Sequence, residues 1–135
     1  MCWPVIDPLG RYRYAKAALS GADATLKKAA VEWVNCHDKY WGSEAAMTEG
    51  NPTLALERAE KVALPPVLYL QGTADVAHPV ANRDQFIASY RKAGGRVELH
   101  LFEGVGEAFI TNDPASQAAR DAIERIIEFL HREMR

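Results

Sequence analysis

The sequence has few of the features that would assign it to a functional class directly. Its 135 residues carry a net charge of −2, with 16 Lys and Arg scattered among 18 Asp and Glu. A nucleic-acid-binding surface normally concentrates basic residues, so this pattern argues against such a partner. No apolar run approaches the roughly 20 residues that a membrane-spanning helix needs, and the first residues lack the pattern of a secretory signal. We therefore expect a cytoplasmic protein that binds neither nucleic acid nor membrane.

Cysteine and histidine are too few and too scattered for a metal centre or a disulfide framework. The two cysteines, Cys2 and Cys36, have no metal-ligand spacing, and no two of the four histidines show zinc spacing. Two free thiols in a reducing compartment are the simplest interpretation. We expect no metal and no cofactor.

The first part of the chain, residues 1–62, predicts a strand end followed by helices. Met1 to Ile6 form a short apolar stub that Pro8 and Gly10 are expected to stop. Residues 23–41 carry apolar and aromatic side chains at helical spacing and predict a helix. One short helix and one short turn follow.

The second part, residues 63–135, has a more regular pattern. Residues 67–71 form a near-continuous apolar run, as in a central parallel strand, and residues 96–102 alternate as a second strand. A helix is predicted over residues 80–93, and another from Asp113-Pro114 to the end. The order strand, helix, strand, helix predicts a parallel pair with a crossover connection. We expect a single domain of the α/β class, with a few parallel strands flanked by helices.

Helical spacing also predicts which face of the last helix points inward. The apolar side chains recur every three or four residues and form one stripe. The stripe consists of Ala119, Ala122, Ile123, Ile126, Ile127 and Leu130.

The turn after the first predicted strand carries the most informative residues, Gln71-Gly72-Thr73-Ala74-Asp75. In open α/β sheets, ligands gather at the carboxyl ends of the strands. A carboxylate at that position can orient a histidine and stabilise the imidazolium that forms during catalysis. The alternative is that Asp75 only caps the turn, since Asp and Gly are common turn residues.

Several segments together resemble the α/β-hydrolase-fold esterases and lipases. Leu64 to Asp75 resembles the penultimate strand and acid turn, and Ala93 to Phe102 resembles the last strand with the helix end before it. Phe102 to Phe109 resembles the loop of the catalytic histidine, usually Gly-x-Gly-His-Gly-Phe. Residues 3–7 resemble the strand end before the cap region, and residues 41–51 resemble the helical insertion over the active site. The resemblance covers the C-terminal half of a full hydrolase and implies a partial α/β-hydrolase-like fold with a cap-like helical segment near the N-terminus.

The sequence departs from that family at two positions of the catalytic triad. It contains no Gly-x-Ser-x-Gly, whose glycines the strained nucleophile elbow requires. The base position holds Glu107, which is a weak base at neutral pH and which Asp75 would repel rather than orient. Glu107 therefore indicates a lost or altered site, or else a carboxyl pair that performs other acid–base chemistry. His78, three residues after Asp75, could reach the acid as a displaced base, or could be a solvent-facing loop residue.

The predicted helix over residues 23–41 carries further candidates. Trp33, Tyr40 and Trp41 would line an acyl pocket if the resemblance holds, and otherwise belong to the core or to an interface. His37, on the same stripe, is expected to be partly buried and hydrogen-bonded.

Three functions are compatible with these residues. The first is a relative of carboxylic-ester hydrolases that is not competent as an isolated chain. The second is half of an ester hydrolase, completed by a partner chain that carries the nucleophile. The third is a module that binds a small ester or hydrophobic ligand. Because the resemblance leaves one strand edge uncovered, we also expect pairing with a second copy or with a partner chain.

Overall fold

The computed structural model describes residues 1–134, which contain seven helices and two strands. In chain order they are α1 (Pro8–Leu19), α2 (Ala24–Trp41), α3 (Glu44–Glu49), α4 (Pro52–Glu57), β1 (Val67–Gly72), α5 (Val80–Lys92), β2 (Val97–Phe102), α6 (Phe109–Asn112) and α7 (Gln117–Glu133). No helix within this part of the chain is long and apolar enough to cross a membrane.

The two strands pair in parallel, in register from Val67 opposite Val97 to Gly72 opposite Phe102. On the other side of β1, the first three residues continue the sheet. The Leu70 amide donates to the Met1 carbonyl at 2.8 Å, and the Trp3 amide donates to the Leu70 carbonyl at 3.1 Å. The predicted α/β class with parallel strands flanked by helices is therefore confirmed, and residues 1–3 form the expected strand end.

The apolar stub of residues 1–6 ends before Pro8, as expected, but the sequence pattern does not predict helix α1, which begins at Pro8 and contains Gly10. Pro8 occupies the first turn of the helix, where a backbone N–H would have no acceptor within the helix, so proline costs no hydrogen bond there. Asp7 caps the helix by accepting from the Gly10 amide at 2.8 Å. The same Asp7 oxygen also accepts from the Asn51 side-chain amide at 2.6 Å, and Asn51 in turn caps α4 through the Leu54 amide at 3.0 Å. The starts of α1 and α4 are thus joined by a hydrogen-bonded pair of capping residues.

The last helix begins later than the Asp113-Pro114 pair predicts. Asp113 ends the short helix α6, because its amide donates to the Phe109 carbonyl. Ser116 is the residue that caps α7, by accepting from the Ala119 amide at 3.2 Å.

The core lies on both faces of β1, since alternate side chains of a strand point to opposite sides. One cluster is centred on Tyr69 and contains the inner residues of α5; it consists of Ile6, Tyr69, Phe86, Ile87, Tyr90 and Val97. The other packs β1 against α6 and α7, and consists of Leu68, Leu70, Phe109 and Ala122.

The apolar stripe of α7 is only partly covered. Ala119 and Ala122 are fully buried, whereas Ile123, Ile127 and Leu130 are exposed. The prediction of one inward stripe is therefore wrong for the outer three residues, because the two-stranded sheet is too narrow to cover them.

Candidate active site

A close contact joins the turn after β1 to the loop after β2. A Cβ atom on Gly72 would lie 2.0 Å from the Val105 carbonyl oxygen, so only glycine fits there. Beside this contact, the Ala74 amide donates to the Val105 carbonyl at 3.0 Å. The Gly104 amide donates to the Thr73 hydroxyl at 2.8 Å. These bonds fix the acid turn against the loop that carries the base position.

Asp75 lies at the carboxyl end of β1 and its side chain is fully buried. One carboxylate oxygen accepts from the backbone amides of Ala77, at 2.9 Å, and His78, at 3.1 Å. The other lies 3.0 Å from Nδ1 of His78, whose side chain is 6% exposed. Asp75 therefore both caps the turn and pairs with an imidazole. His78 is not the solvent-facing residue that one interpretation of the sequence suggested.

The Asp75–His78 pair fixes the chemistry of the imidazole. A carboxylate next to Nδ1 favours the tautomer with the proton on Nδ1, which leaves Nε2 as the basic nitrogen. The backbone carbonyl of His78 accepts from the Gln71 side-chain amide at 2.8 Å, which further holds the loop. His78 lines a cavity of about 10 Å³ together with Arg11 and Tyr69. That volume holds about one water molecule.

Glu107, at the position of the family's histidine, is exposed. Its backbone carbonyl accepts from the Asn112 side-chain amide at 3.4 Å. Ala108, the next residue, has a φ of 58° in the left-handed region, so the chain turns sharply there. Within residues 1–134, the Glu107 carboxylate makes no hydrogen bond with Asp75, whose partners are Ala77 and His78. The structure therefore does not bring the two acids together as a hydrogen-bonded pair.

Arg11 is a residue of this region that the sequence did not indicate. It lies on the inner face of α1, is 8% exposed, and donates from Nε to the Ala77 carbonyl at 2.7 Å. Burial lowers the pKa of the guanidinium, while the negative charges of Glu107 and Asp75 partly offset that effect. Arg11 is thus a buried cation that both acids influence. The only sequence signal for Arg11 is its place as a basic residue between the apolar residues of α1, and the sequence pattern does not predict that helix.

The three predicted aromatic residues do not form one cluster. Trp33 stacks on Tyr14, with ring centroids 6.4 Å apart. Tyr40 packs edge-on against Trp41 at 5.1 Å and is 81% exposed. Tyr40 is therefore not on the inward face of α2.

His37 is buried, but only one of its ring nitrogens is satisfied. Nδ1 lies 2.8 Å from the Trp33 carbonyl, which can only accept, so Nδ1 carries the proton. Nε2 is shielded from solvent and has no hydrogen-bond partner among residues 1–134. Burial lowers the pKa of His37, which keeps the ring neutral at pH 7. The expectation of a fully hydrogen-bonded histidine is wrong for Nε2.

The order of strands, acid turn and loop agrees with known hydrolases. The model of the dienelactone hydrolase family matches residues 18–134. The chain belongs to the dienelactone hydrolase family. This membership confirms the predicted relationship to the α/β-hydrolase-fold ester hydrolases.

Solved structures of one thermophilic esterase are similar to this member of the dienelactone hydrolase family. Native esterase 2 of the planctomycete Thermogutta terrifontis is 29% identical with a TM-score of 0.54, over 73% of this chain and 34% of the esterase. The sarin-phosphonylated form is 28% identical with a TM-score of 0.58, over 73% and 34%. The butyrate-bound form is 28% identical with a TM-score of 0.56, over 75% and 34%. The chain therefore spans about a third of the length of that esterase. No curated protein matches it significantly.

Proposed function

We propose that this chain supplies the acid and a cap-like segment of an ester-hydrolase site and does not hydrolyse esters on its own. The observation that supports the proposal is the buried Asp75 carboxylate at the carboxyl end of β1, held 3.0 Å from His78. The sequence holds Glu107 where the base is expected and contains no Gly-x-Ser-x-Gly. The oxyanion donors of the family precede that missing motif, and removal of a single such donor costs roughly 10²–10³ in rate.

Ester turnover and active-site labelling test this proposal directly. We expect the purified chain to release no p-nitrophenol from p-nitrophenyl butyrate above the rate of buffer, and to form no adduct with a fluorophosphonate probe by mass spectrometry. The Asp75→Asn variant should give the same background. Turnover that falls in Asp75→Asn but persists in Glu107→Gln would contradict the proposal, because it would show a working acid in the isolated chain.

The Asp75–His78 hydrogen bond favours a second candidate, an ester hydrolase completed by a partner chain that carries the nucleophile. In that arrangement, Nε2 of His78 takes the proton of the attacking hydroxyl, and Asp75 stabilises the imidazolium that results. His78 later returns the proton to the leaving alkoxide. The pair would thereby replace the histidine that is absent at Glu107.

Coexpression with a polypeptide that carries the Gly-x-Ser-x-Gly part of a family member tests this second candidate. Activity should appear in the mixture, fall by about 10²-fold or more in His78→Ala, and be unchanged in the matched Glu107→Gln variant. Activity that survives His78→Ala would exclude His78 as the base.

We also propose that the free sheet edges pair with another chain, either a second copy or the nucleophile-bearing partner. Within residues 1–134, no strand pairs with the outer side of residues 1–3 or of β2. Unpaired edges are templates for strand addition, and Ile123, Ile127 and Leu130 on α7 are exposed apolar residues. Sedimentation velocity at micromolar concentration should show a dimer or mixed complex. The pairing would be refuted if the chain sediments as a monomer both alone and in a mixture with the nucleophile-bearing partner.

The thiols support a reducing compartment, and we propose the cytoplasm. Cys2 and Cys36 form no disulfide, and Cys36 is exposed. An exposed free thiol is typical of reducing compartments. Alkylation of intact cells without prior reduction should modify Cys36 fully, whereas protection of Cys36 would contradict the assignment.

A further inference from the structure

A groove lies between the outer edge of β2 and helix α7. Its volume is about 610 Å³, within the range of ligand sites. Leu101 and Phe102 of β2 form part of its wall. The charged side chains around it are Glu103, Asp121, Glu124, Arg125 and Glu128. The groove therefore combines a strand edge with an acidic wall.

The outer edge of β2 has no strand partner within residues 1–134. On its inner side, the Val67 amide donates to the Arg96 carbonyl, and the Thr73 amide donates to the Phe102 carbonyl. The peptide groups of a strand point alternately to its two sides, so the even-numbered residues of β2 bond to β1. The odd-numbered residues direct their N–H and C=O groups outward.

The unpaired stretch of this edge is short and centred on Leu99 and Leu101. The Val97 carbonyl is already occupied, because it accepts from the Arg91 side chain at 3.0 Å. Leu101 is 47% exposed. An extended segment that pairs with Leu99 and Leu101 would both satisfy their main-chain groups and cover the Leu101 side chain.

The charge of the groove indicates what kind of segment fits. Acidic residues outnumber the one arginine of the wall by three. That arginine, Arg125, lies 3.8 Å from Glu128, and Glu103 and Glu124 are exposed. If two β2 edges paired around a two-fold axis, the same acids of both copies would approach each other, and like charges at an interface repel. A basic segment therefore fits this edge better than a second copy does.

We propose that β2 binds an extended peptide segment in which basic and apolar residues alternate. Main-chain hydrogen bonds to Leu99 and Leu101 add the segment to the sheet. Successive side chains of a strand point to opposite faces, so the basic ones reach the acids of α7 while the apolar ones cover Leu101. The pairing with a second copy or with the nucleophile-bearing partner then uses the edge of residues 1–3. Peptide binding at β2 is independent of ester hydrolysis.

Heptapeptides with blocked ends test the charge and the pattern on the full chain at pH 7.5 and low salt. Fluorescence anisotropy should rank the alternating peptide Lys-Val-Lys-Val-Lys-Val-Lys above a peptide with its lysines and valines in two blocks. The alternating peptide should bind about tenfold or more tightly than its counterpart with Glu in place of Lys. Equal affinity of the alternating peptide and either of the others, or no binding up to about 1 mM, would overturn the proposal.

Methylation of peptide nitrogens separates strand addition from long-range attraction. Because N–H groups alternate in direction along a strand, methylation of either the lysine or the valine amides, but not of both, should weaken binding by about tenfold or more. The alternating peptide should slow hydrogen exchange of the Leu99 and Leu101 amides, but not of the His100 amide, which faces β1. Equal effects of the two methylations, or unchanged exchange at Leu99 and Leu101, would contradict strand addition at β2. Dissociation of a dimer by the peptide would show that β2 pairs with a second copy instead.

Surface variants assign the charge preference to the groove. Glu124→Gln should weaken binding of the alternating peptide by about two- to fivefold, as expected for an exposed ion pair, and addition of Glu128→Gln should weaken it further. The matched control is Glu49→Gln, an exposed glutamate on α3, which should leave the affinity within about 1.5-fold. An equal loss in Glu49→Gln and Glu124→Gln would show attraction by the net charge of the chain and would refute a site at β2.

Discussion

Replacement of Gly72 by alanine tests whether the contact between the acid turn and the loop after β2 is rigid. The added Cβ would lie 2.0 Å from the Val105 carbonyl oxygen and 2.7 Å from its carbon, and both are backbone atoms. Relaxed contacts between such atoms are near 3.5 Å, so the two segments must separate by roughly 1 Å or more. That movement breaks the hydrogen bond from Ala74 to Val105, which contributes about 1 kcal/mol. Strain from overpacking adds about 1–3 kcal/mol, so we expect a loss of about 2–4 kcal/mol in the free energy of unfolding.

Urea denaturation followed by tryptophan fluorescence measures this loss. The matched control is Gly106→Ala, in the same loop, where the nearest atom to the added Cβ is the Ala74 carbonyl oxygen at 3.8 Å. That variant should stay within about 1 kcal/mol of the original chain. If Gly72→Ala also stays within about 1 kcal/mol, the loop yields without cost and the argument for a fixed site is wrong.

Three further predictions concern buried titratable groups. Asp75→Asn should switch His78 from the Nδ1–H to the Nε2–H tautomer, because the new amide donates; unchanged imidazole ¹⁵N shifts would contradict this. Burial lowers the pKa of His37, so the unfolded chain takes up the proton first and stability falls as the pH drops below about 6.5. In His37→Gln, the urea midpoint should depend less on pH between pH 7.5 and 5.5 than in the original chain. An equally steep fall in the variant would show that another group causes the pH dependence. Burial raises the pKa of Tyr69, so above a pH of about 10 the Tyr69 hydroxyl ionises in the unfolded chain but stays protonated in the folded one. Above that pH, the free energy of unfolding should fall less in Tyr69→Phe than in the original chain. An equal fall in both proteins would contradict this prediction.

Much of the fold could be predicted because local signals and packing agree. The apolar run of β1 and the Gly42 end of α2, where φ is 71°, carry strong local patterns. Helix α1 was missed because Pro8 suggests a break, although proline is well accommodated in the first helical turn. The start of α7 was misplaced because Asp113 and Ser116 are both good caps. In the structure, Asp113 ends the short helix α6, and the position of α6 depends on how Phe109 packs into the core.

The candidate site was predictable only where its residues are close in sequence. Asp75 and His78 are three residues apart, so a single turn brings them together. Arg11 contacts the Ala77 carbonyl across 66 residues, a contact that exists only because α1 packs against that loop. The exposure of Tyr40 also depends on packing, because α1 covers α2 but leaves the side of Tyr40 open to solvent.

The pair of capping residues at α1 and α4 makes two distant segments one cooperative unit. Asp7 and Asn51 are 44 residues apart, yet a single carboxylate oxygen serves both helix starts. Thr53 strengthens the link, because its hydroxyl donates to the Ile6 carbonyl at 2.8 Å. Opening either start removes a bond from the other, so the amide protons of both first turns should exchange with solvent through the same opening event. The segments therefore order together, and the chain before α1 gains rigidity from its hydrogen bonds to the start of α4.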